Sequence, residues 1–274
     1  MKKQPVLWYF VLAFAFTYGL SFLAVSDWLP SALKSVCLIF YQFGPTVAAL
    51  VIVHASGGCA GIKQMLKKVF VWRVGIQWYM FVFLFPVAAR LLAVGANVLL
   101  GGEPPRFFSS ATVGVSGISP ILIVLFMGIL IRPSLVEEIG WRGFALPRMQ
   151  ERFGALGASL LLGLLWGLWH FHPVNFPFYK DWMLWFLLMT VLGSVIYTWI
   201  YNHTDGSILL ASLFHASSNF SEYIVPISPV NTGAGITPDF IALRIVYLLT
   251  AIVIAVNFLN TRQTHPEGTA RGIQ

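Results

Sequence analysis

The sequence predicts an all-α integral membrane bundle of about eight transmembrane helices. Three observations carry that prediction. The 274 residues are 58% hydrophobic and only 10% charged, against about 25% charged in a soluble domain. Apolar stretches recur along the whole chain, each near the roughly 20 residues that cross a bilayer. Lys and Arg gather in alternate connections instead of spreading evenly. Together these make residues 1–274 a single polytopic membrane domain with the lipid bilayer as its first partner.

The segments follow in order. Lys2 and Lys3 precede the apolar run 5–25. That run lacks a small-residue cleavage site and reads as a retained first helix. Segment 33–53 holds Cys37. The Gly-rich connection after it holds Cys59, then Lys63, Lys67, Lys68 and Arg73. Neither cysteine has a His or Cys at a metal spacing, so both read as plain thiols. Segment 74–100 contains Arg90, expected to snorkel or to pair with a carboxylate. The stretch 101–118 has Pro104 and Pro105 and reads as irregular.

Segments 119–146 and 155–173 are separated by a connection with Arg148 and Arg152. Pro173 ends the second of them, and His172 beside it reads as a loop or interface residue. Segments 182–201, 207–225 and 240–260 complete the set. Gly206 and Ser207 mark the start of 207–225, and prolines break 226–239. The polar tail carries Arg262 and Arg271. The basic groups alternate with connections poor in Lys and Arg, which places both termini in the cytoplasm of a cell-membrane protein. The net charge of +7 belongs to these loops and to anionic lipid, and no nucleic acid partner is expected.

Ionisable side chains are costly in lipid, so polar clusters within the apolar segments point to chemistry. The first is Glu137-Glu138 with Arg142. Glu138 and Arg142 are four residues apart and share a helical face. Glu137 points about 100° away and is left to face a cavity. Unequal partners give two neighbouring carboxylates different tasks: Glu137 reads as a base and Glu138 as a support. The second cluster runs from Trp166 to His172 and offers His170. The third holds His215 and Asn219, again four residues apart on one face. The ordinary reading of the His and Asn positions is polar packing between helices.

Counted from the expected cytoplasmic ends, Glu137 and His215 lie about 14 and 15 Å deep and His170 about 24 Å deep. One cavity reached from the cytoplasmic side would then hold all of them. A carboxylate and an imidazole can deprotonate water, and Asn with a second His can donate to an oxyanion. The same Glu137, His170 and His215 could instead hold Zn2+ with an open position for water. The residues leave both chemistries open.

Glu-Glu-x-x-x-Arg at 137–142, an aromatic-x-x-x-His at 166–170 and His-x-x-x-Asn at 215–219 together resemble the CPBP family. This is the group of CAAX prenyl endopeptidases and bacteriocin-processing enzymes related to the Ras-converting enzyme. The motif-bearing core covers about 119–225. Trp166 stands where the family more often has Phe, as does Trp141. The resemblance implies an intramembrane endopeptidase whose site opens toward the cytoplasm. It implies Glu137 and His170 as the water-activating groups, and His215 and Asn219 as oxyanion or metal-holding residues. Glu138, Arg142 and Trp166 would support them. The implied substrate is a hydrophobic or lipid-linked peptide. The competing classes are a proton-coupled transporter and a non-catalytic scaffold; an internal inverted repeat, common in transporters, is not evident.

Overall fold

Each apolar segment becomes a helix in the computed structural model, which describes residues 4–105, 107, 126–227 and 235–264. Regular structure among the described residues is helical throughout. The helices are α1 (Pro5–Val25), α2 (Ser31–Phe70), α3 (Ile76–Leu99), α4 (Phe126–Trp169), α5 (Phe176–His203), α6 (Ile208–Ile224) and α7 (Pro238–Thr264). Six of them, all but α6, contain stretches long and apolar enough to cross a membrane. Most of the expected irregular stretch 101–118, the tail beyond 264 and residues 228–234 of the stretch 226–239 lie outside the described residues.

The eight expected segments appear as seven helical stretches because the fourth and fifth run together as α4. A straight helix of its 44 residues would be about 66 Å long, twice the roughly 30 Å hydrocarbon core. It therefore doubles back. Gly154 breaks it with φ 68° and ψ 177°, a left-handed conformation that a side chain would strain. The connection expected there is thus a single-residue hinge with helix on both sides. α2 bends in the same way at Gly58.

The two legs of α4 have different neighbours. The first packs on α2, and the second lies along α5. Gly163 and Gly167 make the second contact close. A Cβ on Gly163 would come within 2.7 Å of Val191 Cα and 2.9 Å of the Thr190 carbonyl oxygen. Small residues four apart let helices approach where lipid offers no hydrophobic drive between them.

α6 is enclosed by α3, the first leg of α4, α5 and the Lys68–Phe70 end of α2. Ser212, His215, Ser217 and Ser221 are all buried on it. A helix this polar is tolerated at membrane depth only because protein, not lipid, surrounds it. Its start is fixed as the sequence suggested. Gly206 takes φ 72°, and the Ser207 side chain caps the Leu210 amide at 3.1 Å.

One end of the bundle gathers the basic bends. Lys68 Nζ donates to the Tyr201 hydroxyl at 2.8 Å. Ser207 Oγ donates to the Val71 carbonyl at 2.6 Å. Gln150 and Asn202 exchange two amide bonds. Lys63, Lys67, Arg148 and Arg152 belong to these same bends. This end is called the basic end below.

Candidate active site

The site is built on the first leg of α4. Two π-helical turns, Leu130–Leu135 and Trp141–Ala145, flank the short α-helical piece that carries both glutamates. Pro133 lies within the first, where its missing N–H breaks the regular ladder. Such turns insert a residue and re-aim the side chains that follow. Glu137 and Glu138 are both buried, at 2% and 0% exposure.

The two carboxylates have different partners, as their spacing suggested. Glu138 Oε1 accepts from Arg142 Nη1 at 2.9 Å. The Arg142 guanidinium, fully buried, also lies 4.0 Å from the Tyr197 ring centroid and 4.8 Å from that of Trp166, a cation held between two aromatic faces. Glu137 Oε2 instead accepts from Trp166 Nε1 at 2.9 Å. Trp166 is therefore a hydrogen-bond donor to the carboxylate as well as a wall, a role its indole N–H could have suggested.

His215 reaches the same cluster from α6. Its Nδ1 lies 2.9 Å from Glu138 Oε1, a contact that no sequence spacing announced because 77 residues separate the two. A carboxylate accepts, so Nδ1 carries the proton and Nε2 is left for the cavity. His170, capping α4, has Nδ1 2.9 Å from the Trp166 carbonyl oxygen, which again fixes the proton on Nδ1 and leaves Nε2 as an acceptor. Trp166 sits between them, 5.4 Å from the His215 ring and 5.7 Å from the His170 ring.

Second contacts hold these groups in place. Trp169 Nε1 donates to Thr17 Oγ1 at 2.9 Å, and Thr17 donates to the Tyr41 carbonyl at 2.8 Å. Thr46 Oγ1 donates to the Val136 carbonyl, one residue before Glu137. α1 and α2 thereby set the position of both legs of α4.

Glu137, Trp166, His170, His215 and Asn219 all line one cavity of about 520 Å³. The polar clusters read from the sequence thus meet in one space. Its lining continues to Asn175, Trp182, Glu222 and Phe240, and takes in no residue of the bends 68–75, 146–154 or 203–207. The cavity thus extends away from the basic end. Depth counting located the clusters but could not reveal which way the space between them opens.

His172 lies in the connection after α4, as its place before Pro173 suggests. It is 0% exposed and lines the cavity, packed against the rings of Tyr18, Tyr41 and Trp169. Neither ring nitrogen has a hydrogen-bond partner. Burial, with the nearby His170 second, pushes this imidazole down to about 3. Arg90 resolves its two sequence options by pairing, its Nη2 2.5 Å from Glu222 Oε1. Cys37 and Cys59 are free thiols, the first buried and the second exposed.

Among the described residues no three His, Cys, Asp or Glu side chains are grouped closely enough to hold an ion. Glu138, the carboxylate nearest His215, is already shared with Arg142, and Glu137 spends one oxygen on Trp166. Glu137, His170 and His215, the residues expected for Zn2+, line the same cavity, and no step below uses a metal.

The described residues thus form an all-α membrane bundle with a carboxylate, two imidazoles and an amide around one interior cavity. Residues 119–221 match the family model described as "Type II CAAX prenyl endopeptidase Rce1-like". That stretch contains all three motifs, at 137–142, 166–170 and 215–219. It is also 27% identical over 241 residues to CAAX prenyl protease 2 of Methanococcus maripaludis, an alignment covering 83% of this chain and 87% of that one.

Proposed function

We propose that this protein is an intramembrane endopeptidase that hydrolyses a peptide bond in an apolar or lipid-linked chain, with Glu137 activating the water. The observation that carries this reading is the division of the glutamates. Glu138 is committed to Arg142 and His215, whereas Glu137 lines the cavity with one oxygen not used by Trp166.

The chemistry follows from those partners. Glu137 takes a proton from a water aimed at the scissile carbonyl, and the acceptor Nε2 of His170 assists. Charge develops on the carbonyl oxygen. The Asn219 amide, one turn further along α6 from His215, offers a donor to it, and His215, held by Glu138, lines the cavity beside it. Trp166 keeps the Glu137 carboxylate in one orientation. The proton on Glu137 then passes to the leaving amine. The aromatic lining excludes bulk water and accepts apolar side chains.

The substrate reaches the site from the end opposite the basic bends. Loops rich in Lys and Arg remain cytoplasmic, so both termini are cytoplasmic and the cavity mouth faces the other side. A chain already in the membrane or exposed beyond it meets this geometry. That differs from the cytoplasmic opening which the family resemblance implies.

The test is the Glu137→Gln variant, which keeps the Trp166 contact and removes the base. In cells it accumulates uncleaved substrate that mass spectrometry of the co-purified material identifies. Unchanged cleavage by Glu137→Gln rejects the reading. Chelator treatment of the purified wild type separates the water-activating carboxylate from a metal-bound water, since only the latter loses activity.

A further inference from the structure

We infer that the connection between α2 and α3, at the basic end, binds the headgroups of anionic phospholipids, and that this contact steadies the start of α6. The inference does not depend on the peptidase reading.

The connection mixes cations with apolar side chains. From Lys67 to Arg73 it reads Lys-Lys-Val-Phe-Val-Trp-Arg, and Ile76 opens α3. Lys67 and Arg73 are exposed. So are Phe70, Trp72 and Ile76, with Phe70 at 76% and Ile76 at 72%. The Arg73 guanidinium lies 5.2 Å from the Trp72 ring centroid. Arg152, beside the hinge at Gly154, repeats the arrangement 5.3 Å from the Phe153 ring. A ring with a cation beside it suits the border between acyl chains and headgroups, where the apolar body is buried and the charge meets phosphate. Exposed apolar side chains at the start of a spanning helix favour that border over a soluble partner.

Charge at this end calls for an anion. The bends carry Lys63, Lys67, Lys68, Arg73, Arg148 and Arg152 against Glu151 and Asp205. The three ion pairs among the described residues all lie elsewhere. Exposed Lys63, Lys67, Arg73 and Arg152 thus hold no carboxylate of a described residue. A zwitterionic headgroup brings its own cation and leaves the surplus standing. A headgroup of net negative charge neutralises it, and a guanidinium takes its phosphate in a two-bond fork.

The inner side of the same connection is fastened to the turn before α6. The Val71 carbonyl accepts from Ser207 Oγ at 2.6 Å, and Ser207 in turn caps the Leu210 amide at 3.1 Å. Lys68 Nζ donates to the Tyr201 hydroxyl at 2.8 Å, and a Cβ on Gly206 would come within 2.9 Å of that Nζ. Lipid held by Lys67 and Arg73 on the outer side therefore restrains the residues that start α6. His215 lies about 12 Å further along that helix from Ser207.

The experiment uses the full-length protein in nanodiscs of phosphatidylcholine alone and of equal parts phosphatidylcholine and phosphatidylglycerol. Native mass spectrometry of protein released from the mixed discs reads which lipid stays bound, and the melting temperature is measured in both. Wild type should retain phosphatidylglycerol in preference. At about fivefold per cation near the surface, Lys67→Gln/Arg73→Gln should cut that preference about 25-fold. Lys180→Gln, at the opposite end, should leave it unchanged. Equal retention of the two lipids overturns the proposal, and so does a preference that survives Lys67→Gln/Arg73→Gln. The anionic discs should also raise the melting temperature of the wild type. In Ser207→Ala the lipid preference should persist while this rise shrinks; an undiminished rise overturns the link to α6.

Discussion

His215 Nδ1 lies 2.9 Å from Glu138 Oε1, and the same oxygen accepts from Arg142 Nη1 at 2.9 Å. One buried carboxylate oxygen thus fixes a histidine on α6 and an arginine on α4. The arrangement gives the second glutamate a purpose: it orients an imidazole that faces the cavity, much as outer carboxylates orient catalytic or metal-bound histidines elsewhere.

Glu138→Gln should disturb this more than its small size suggests. The amide can offer only one acceptor oxygen and no charge, so Arg142 is left buried and uncompensated. Breaking a buried pair from one side costs about 3–5 kcal/mol. A fall in melting temperature in detergent should accompany a loss of kcat on the order of 10²-fold or more, as seen when a histidine loses its orienting carboxylate. A variant with normal kcat would remove Glu138 from the machinery.

Trp166→Phe isolates the bond to Glu137. It keeps the aromatic wall and deletes the Nε1–H donor, leaving a buried carboxylate oxygen unpartnered at a cost of about 1–3 kcal/mol. Expected is about a tenfold or greater loss of kcat with KM little altered. If KM rises and kcat holds, Trp166 acts on substrate packing alone.

His172 makes stability depend on pH. It lies in the connection between α4 and α5 with its imidazole lowered to about 3 by burial, against an ordinary value near 6.5. Between those values the unfolded chain carries a proton that the folded one does not. Stability from this group is therefore complete above about pH 6.5 and is lost progressively as pH falls toward 3. Melting temperatures measured from pH 7.5 to 4.5 should fall for the wild type and fall less for His172→Phe. Parallel curves would show that other groups set the acid response.

Orientation is open to a labelling test. Cys59, exposed near the basic end, and a cysteine placed at exposed Lys180 flank the bundle on opposite sides. In a Cys37→Ser background, an impermeant maleimide added to intact cells should label Lys180→Cys and leave Cys59 unlabelled until the membrane is opened. The reverse pattern would turn the cavity toward the cytoplasm.

Much of the fold was legible because lipid imposes a coarse rule. A spanning segment must be apolar over about 20 residues, so α1, α3 and α7 follow from composition. The joining of two segments into α4 was not legible. A glycine at 154 looks like any loop glycine until its positive φ shows a helix continuing on both sides. Within the site, contacts at i,i+4 were readable. Glu138 with Arg142 follows from helix geometry alone. Glu138 with His215 does not, since nothing local couples residues 77 apart.

By itself the sequence determined that the chain is a membrane bundle, which glutamate pairs with Arg142, and which residues belong to the polar clusters. These depend on local periodicity and on the cost of charge in lipid, both written along the chain. Only the tertiary structure decided that His215 joins Glu138, that Trp166 donates to Glu137, and that Arg90 and Arg244 share the cavity. It also decided that the cavity extends away from the basic end. Those outcomes depend on how helices distant in sequence rotate and cross, which is set by close approaches such as Gly163 on Val191 and by the π-helical turns around Glu137.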